Sequence, residues 1–216
     1  MKLSSKTLVS LAIAFFAVNA SAAILANAVG IQATGASSTS NYGAPYTTDR
    51  TIDQSDLSGS YLSGVTSTNV IDGFTNLSLG NGWHGANGDG RGSITFDLGG
   101  LYTLDRIYLY WMNLGTANNV ADFSVEVGTD ASFSSSVIAA NFGAQTAAQE
   151  RIDFASLATG GFVRLNWTTL QGDYPGLNEF IAGGLLAQVN NVPEPSTLAL
   201  LAIGLAGFSA ARKRKV

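Results

Sequence analysis

Between residues 93 and 187 the chain is a succession of short runs with a period of two, and this feature limits its fold more than any other. Ser93-Ile94-Thr95-Phe96-Asp97-Leu98 alternates polar and apolar side chains, and Arg106-Ile107-Tyr108-Leu109-Tyr110-Trp111 is β-branched and aromatic. Phe123 to Val127, Arg151 to Phe154 and Phe162 to Trp167 repeat the pattern, and a run from Glu179 to Ala187 closes it. Alternation sends successive side chains to opposite faces of a pleated strand, while the Gly, Asn and Asp residues between runs supply turns. No helical period survives over this stretch. Many short strands with Gly-rich turns predict an all-β domain, a single antiparallel β-sandwich of the jelly-roll kind.

Residues 35–68 have a linker's composition, rich in Ser, Thr, Gly and Asn, but they are not blank. Ile31, Tyr42, Tyr46, Ile52, Leu57, Tyr61, Leu62 and Val65 recur through and beside them. Apolar anchors at that spacing predict long loops pinned to a sandwich edge rather than a free tether.

The two ends read differently. Lys2 and Lys6 precede an apolar run from Leu8 to Val18, and Ala20-Ser21-Ala22 offers the small side chains a signal peptidase accepts. Residues 1–22 are therefore expected to be a helical signal peptide cut after Ala22. At the other end Pro193-Glu194-Pro195 leads into an apolar stretch, residues 197–211, and a basic cluster, residues 212–215. The prolines keep the lead-in extended, and the apolar stretch is expected to form a helix in the inner membrane with its basic end on the cytoplasmic side. Residues 23–191 remain as one domain, holding five arginines, no lysine and fourteen acids. A domain so acidic repels a phosphate backbone, which argues against nucleic acid as a partner. With no cysteine in the chain, disulfides and thiolate metal sites are excluded.

The order Pro-Glu-Pro, apolar run, basic cluster resembles the PEP-CTERM sorting signal over about the last 25 residues. That resemblance implies an exosortase as processing partner, a Gram-negative host that makes exopolysaccharide, and delivery to the cell surface or extracellular matrix. A second resemblance spans most of the domain. Val70-Ile71-Asp72-Gly73 followed by Trp83, then Ile94 to Gly99, Leu104-Asp105-Arg106-Ile107, Phe123 to Val127, Phe162 to Leu165 and Leu177-Asn178-Glu179-Phe180 fall in the order of the discoidin, or coagulation factor 5/8 C-type, family. The resemblance implies a sandwich of the galactose-binding type. The gap from Gly73 to Trp83 is longer than usual for that family.

The family pattern implies one structural calcium ion, with Asp72 as first ligand, Asn69, Thr75 or Asn76 from the same loop, and Glu179 as the distant carboxylate. Hard oxygen donors beside a tight Gly turn suit that ion; the alternative is that Asp72 caps a turn and Glu179 is exposed. For a ligand, the glycine-rich segment 80–92 carries Trp83, His84, Asn87 and Arg91. Its reading is a sugar-binding loop, in which His84 and Arg91 hydrogen-bond hydroxyls; the alternative makes Trp83 a core plug and His84 its polar neighbour. Trp111, Asn113, Asn118 and Asn119 form a second candidate rim, which Asp173 and Tyr174 would join; the alternative is that these are turn residues chosen for backbone conformation. A lone histidine without triad order, and no cysteine nucleophile, leave no ordered catalytic set. The sequence thus predicts an exported, non-enzymatic surface protein that binds carbohydrate or exopolysaccharide. A purely structural matrix protein and a glycan hydrolase are the rivals.

Overall fold

Strand formation in this chain follows the alternation, but two strands run further than their sequence breaks suggest. The computed structural model describes residues 24–77, 80–112, 120–143, 145, 147–170 and 172–187. The strands are β1 (Val29–Ile31), β2 (Gly35–Ser38), β3 (Trp83–His84), β4 (Gly92–Trp111), β5 (Val120–Gly128), β6 (Ser136–Phe142), β7 (Gln149–Leu170) and β8 (Gly176–Leu186). A 3-10 turn, Thr48–Thr51, and a one-turn helix α1, Thr68–Ile71, lie between β2 and β3. All pairings are antiparallel, in the order β1-β8-β4-β7-β5-β6, with β2 on β4 and β3 on β8.

The sequence separates 93–98 from 106–111, and 151–154 from 162–167, by Gly99-Gly100 and Gly160-Gly161. The structure threads β4 and β7 straight through those glycines. Residues 92–97 of β4 pair with 162–167 of β7, then the register shifts and 102–110 pair with 149–160. At the bend the two backbones crowd: a side chain on Gly160 would meet the Gly128 carbonyl at 2.5 Å, and Gly99 sits at φ +69°. Each long strand thereby contributes to both layers of a sandwich. One layer holds β2, the first half of β4, the second half of β7, β5 and β6; the other holds β1, β8 and the remaining halves.

Between the layers lies the main core. Ile94, Phe96, Leu98, Val125, Val163 and Leu165 meet Ile107, Leu109, Phe180 and Ala182, and the rings of Phe96 and Phe180 stack at 3.8 Å. The second layer is buried on its other face too. Tyr108, Tyr110 and Ile181 point away from the main core and pack under Leu57, Tyr61, Ile71 and Phe74. This is why β8 and the end of β4 read as continuous apolar runs rather than clean alternations. The polar-looking segment before β3 is accordingly a cover for the outer face of a sheet, with Leu57 and Tyr61 as anchors; Leu62 and Val65 stay exposed.

Among the described residues no helix is long and apolar enough to cross a membrane. The flanking helices expected over residues 1–22 and 197–211, and the sites Ala20, Ala22, Pro193, Glu194 and Pro195, lie outside the described residues.

Candidate functional site

One end of the sandwich gathers side chains from three separated segments. The short β3 pairs with the start of β8, setting Trp83 opposite Leu177 and His84 opposite Gly176. The loop after β2 crosses above it: Tyr42 N–H donates to the His84 carbonyl at 3.0 Å. From the third segment, the turn before β8, Gly85 N–H donates to the Pro175 carbonyl and Gly88 N–H to the Asp173 carbonyl, each at 2.8 Å. Ser40 ties the first two together, its hydroxyl accepting from Ala86 N–H and donating to Asp89.

These backbone bonds bring four rings into contact. Tyr46 lies 4.3 Å from His84, Tyr174 5.8 Å and Tyr42 6.2 Å, centroid to centroid. Tyr42 meets Tyr174 edge-on at 5.7 Å and Tyr46 at 6.0 Å. The cluster has a wet side and a dry side. Tyr42 is 56% exposed, whereas His84 is only 6% exposed and its Nε2 has no hydrogen-bond partner among the described residues. Burial pushes the His84 pKa below its usual value, so the ring is neutral at pH 7. A neutral imidazole nitrogen left unmatched under aromatic rings is a costly arrangement unless some other molecule supplies its partner.

His84 and Tyr174, expected from the sequence as ligand-binding residues, are thus brought together. Arg91 and Asn87 are exposed on the loop leading to β4. Trp83 is core, its indole N–H donating to the Ser40 carbonyl at 3.2 Å. Trp111 is not the rim platform the sequence suggested. It is 3% exposed, packs edge-on against Phe123, and donates its indole N–H to Glu150 at 2.8 Å, because β4 carries it inward between the layers. Asn113, Asn118 and Asn119 lie outside the described residues. Tyr42 and Tyr46 were expected only as loop anchors. The cue to their role was two tyrosines flanking Gly43-Ala44-Pro45 in an exposed loop.

The residues implied as calcium ligands have separate partners. Asp72 accepts from Tyr108 Oη at 2.9 Å and from Arg151 Nη1 at 3.1 and 3.2 Å. Asn69 caps its backbone N–H on Ser67, Thr75 N–H donates to Ser58, and the Asn76 amide donates to the Trp111 and Ala148 carbonyls. Glu179 is 1% exposed and faces Asp53 and Asp56 instead; burial first, then those two acids, push its carboxyl up to about 9. Among the described residues no three acidic or imidazole side chains are grouped to hold a metal ion.

The family model for the F5/8 type C domain matches residues 32–180. The chain belongs to that family. A second model, the PEP-CTERM protein-sorting motif, matches residues 191–215 and marks the chain for export and exosortase-dependent sorting to the surface of a Gram-negative bacterium. No curated protein matches the chain. Among solved structures, the F5/8 type C fold recurs in the family 32 carbohydrate-binding module of Clostridium perfringens NanJ in complex with galactose. The identity is 12%, covering 72% of this chain and 99% of that one, with a TM-score of 0.52. Chitosan-binding module 2 of a Paenibacillus sp. IK-5 chitosanase/glucanase, in complex with chitotriose, is 18% identical over 70% of this chain and 97% of that one, TM-score 0.51. Module 1 of the same enzyme is 20% identical over 70% and 96%, TM-score 0.50. At these identities the likeness establishes the discoidin-like sandwich.

Proposed function

We propose that this F5/8 type C domain is a non-enzymatic glycan-binding module that attaches an exported protein to carbohydrate of the exopolysaccharide or cell surface. The observation that carries this reading is the contact of His84, whose Nε2 has no partner among the described residues, with the rings of Tyr42, Tyr46 and Tyr174. Sugars present just the complement: C–H faces that stack on aromatic rings and hydroxyls that donate to, or accept from, an imidazole. Arg91, on the neighbouring loop, is the second hydrogen-bonding group. Modules of the same fold solved with galactose and chitotriose support the ligand class.

The test is calorimetry of the full-length chain, in a detergent without sugar, against uncharged oligosaccharides. His84→Ala and Tyr42→Ala are expected each to weaken binding about tenfold or more, the loss of a hydrogen bond or a stacking face in a desolvated site. Binding that both variants leave intact would overturn the assignment. Because burial lowers the His84 pKa and keeps the ring neutral at pH 7, affinity should hold through the neutral range and fall once acid protonates the ring.

Sorting belongs to the same proposal. Signal peptidase removes residues 1–22, residues 197–211 hold the chain in the inner membrane, and exosortase acts at Pro193-Glu194-Pro195. Calcium is a separable proposal. Two acids buried together, Asp56 and Glu179, carry charge that a proton or a divalent cation would cancel. Calcium added at pH 8 should then raise the unfolding midpoint, and chelator should reverse it; a midpoint indifferent to both removes calcium from the picture.

A further inference from the structure

On the outer face of the second layer a cavity of about 330 Å³ opens between α1 and the β4-β7 pair. Asp72, Phe74, Tyr108, Tyr110, Gln149 and Arg151 line it. Arg151 also borders a second cavity, of about 360 Å³, that continues past Asn69 and Ser67 to the residues before β1. The Asp72–Arg151 ion pair is thus the saddle between two adjoining hollows. Both of its side chains are about one third exposed.

Three features set this groove apart from ordinary surface relief. Tyr110 is only 2% exposed and lines the groove, yet its hydroxyl makes no hydrogen bond to any described residue. Burial, then the charges of its neighbours, raise its pKa, so the hydroxyl stays protonated and keeps a donor and an acceptor to offer. Arg151 uses Nε on Asp153 and Nη1 on Asp72, leaving Nη2 without a described partner. Charge at the saddle is net negative: Arg151 faces the carboxylates of Asp72 and Asp153, and Glu150 also lines the groove, which disfavours an anion. Donors and acceptors side by side, the Arg151 guanidinium and Tyr110 hydroxyl beside carboxylate oxygens, with Ile71 and Phe74 as apolar walls, match an uncharged sugar unit with vicinal hydroxyls.

We infer that the domain carries a second glycan site in this groove, taking neutral hexose or N-acetylhexosamine units, so that one domain grips a polysaccharide at two places. The inference rests on the reading of the protein as a glycan binder but not on the aromatic end. Two weak sites on one rigid domain gain from effective concentration on a polymer and would also let one chain bridge two strands of it. For a protein sorted to the surface, bridging converts attachment into cross-linking.

The experiment is a calorimetric titration of the full-length chain with uncharged hexose and N-acetylhexosamine di- and trisaccharides, comparing wild type, Tyr110→Phe, the pair His84→Ala with Tyr42→Ala, and the combination. Tyr110→Phe removes only a hydroxyl that no described group uses, so its unfolding midpoint should match wild type. The inference expects two sites per chain in wild type and one in the aromatic-end pair. Tyr110→Phe should weaken that remaining site about fivefold to tenfold, the worth of one hydrogen bond in a desolvated groove. One site per chain, abolished in the aromatic-end pair and untouched by Tyr110→Phe, overturns the groove and leaves the aromatic site standing. Binding that survives the pair but ignores Tyr110→Phe also overturns it. No binding by wild type overturns both sites.

Discussion

Glu179 shows how a single position can carry a large conditional cost. The strand β8 is buried on both faces and delivers Glu179 into the space beside Asp53 and Asp56, while Asp72 takes Arg151 and Tyr108. With its folded pKa raised from 4.5 to about 9, the folded protein holds a proton the unfolded chain releases. Stability from this group is therefore full below pH 4.5 and declines as the pH climbs through the interval to 9. Glu179→Gln mimics the protonated acid. In calcium-free buffer its unfolding midpoint should exceed wild type at pH 9 by several degrees, about 2–4 °C for each kcal/mol relieved, with the gap closing near pH 5. Thermal scans at pH 5, 7 and 9 check this; a constant gap would mean Glu179 is charged throughout. The position of Glu179 on a strand was legible, since Leu177-Asn178-Glu179-Phe180 sits in a β-type run. Its partners lie more than a hundred residues away, and no local pattern encodes them.

At the scale of elements, the strands were legible and their continuity was not. Alternation fixes which faces of 93–98 and 162–167 are apolar, because each packs on one side only. Gly99-Gly100 and Gly160-Gly161 read as strand ends, since glycine breaks local propensity. In the structure they are the places where two paired strands change layers at close approach. Gly160→Ala should cost about 1–3 kcal/mol, the usual penalty for overpacking, because its Cβ would collide with the Gly128 carbonyl and Val127. Gly143→Ala, where nothing lies within 4 Å, is the matched control and should leave the urea midpoint near wild type. Equal effects at the two positions would contradict the bend. Trp111 was misjudged for a related reason: a strand end looks like a rim in sequence, yet here the strand ends inside the sandwich. Removing a ring from the inter-layer stack, as in Phe180→Ala, should cost about 3–5 kcal/mol.

For the whole molecule, charge and addressing dominate. The domain is acidic, so contacts to a glycan would have to work without net attraction to anions. Glycan affinity at the aromatic end should change less than about twofold between 0.05 and 0.5 M salt, since neither partner gains from screening a neutral sugar. Steep weakening with salt would indicate a charged ligand. Replacing Pro193-Glu194-Pro195 with alanines should leave the protein in the inner-membrane fraction of its host rather than at the surface, which cell fractionation reads directly.

The sequence alone determined the class of fold, the acidic domain and the sorting address, because alternation, charge and a terminal motif are local properties written in consecutive residues. It also named His84 and Tyr174, whose loops carry an unusual aromatic and imidazole content. Only the tertiary structure decided that Tyr42 and Tyr46 close over His84, that Trp111 is interior, that Glu179 answers to Asp53 and Asp56, and that Tyr110 lines a groove beside Arg151. Each of those depends on which distant segments the strand pairing brings together, and on which face of a twice-covered sheet a side chain emerges.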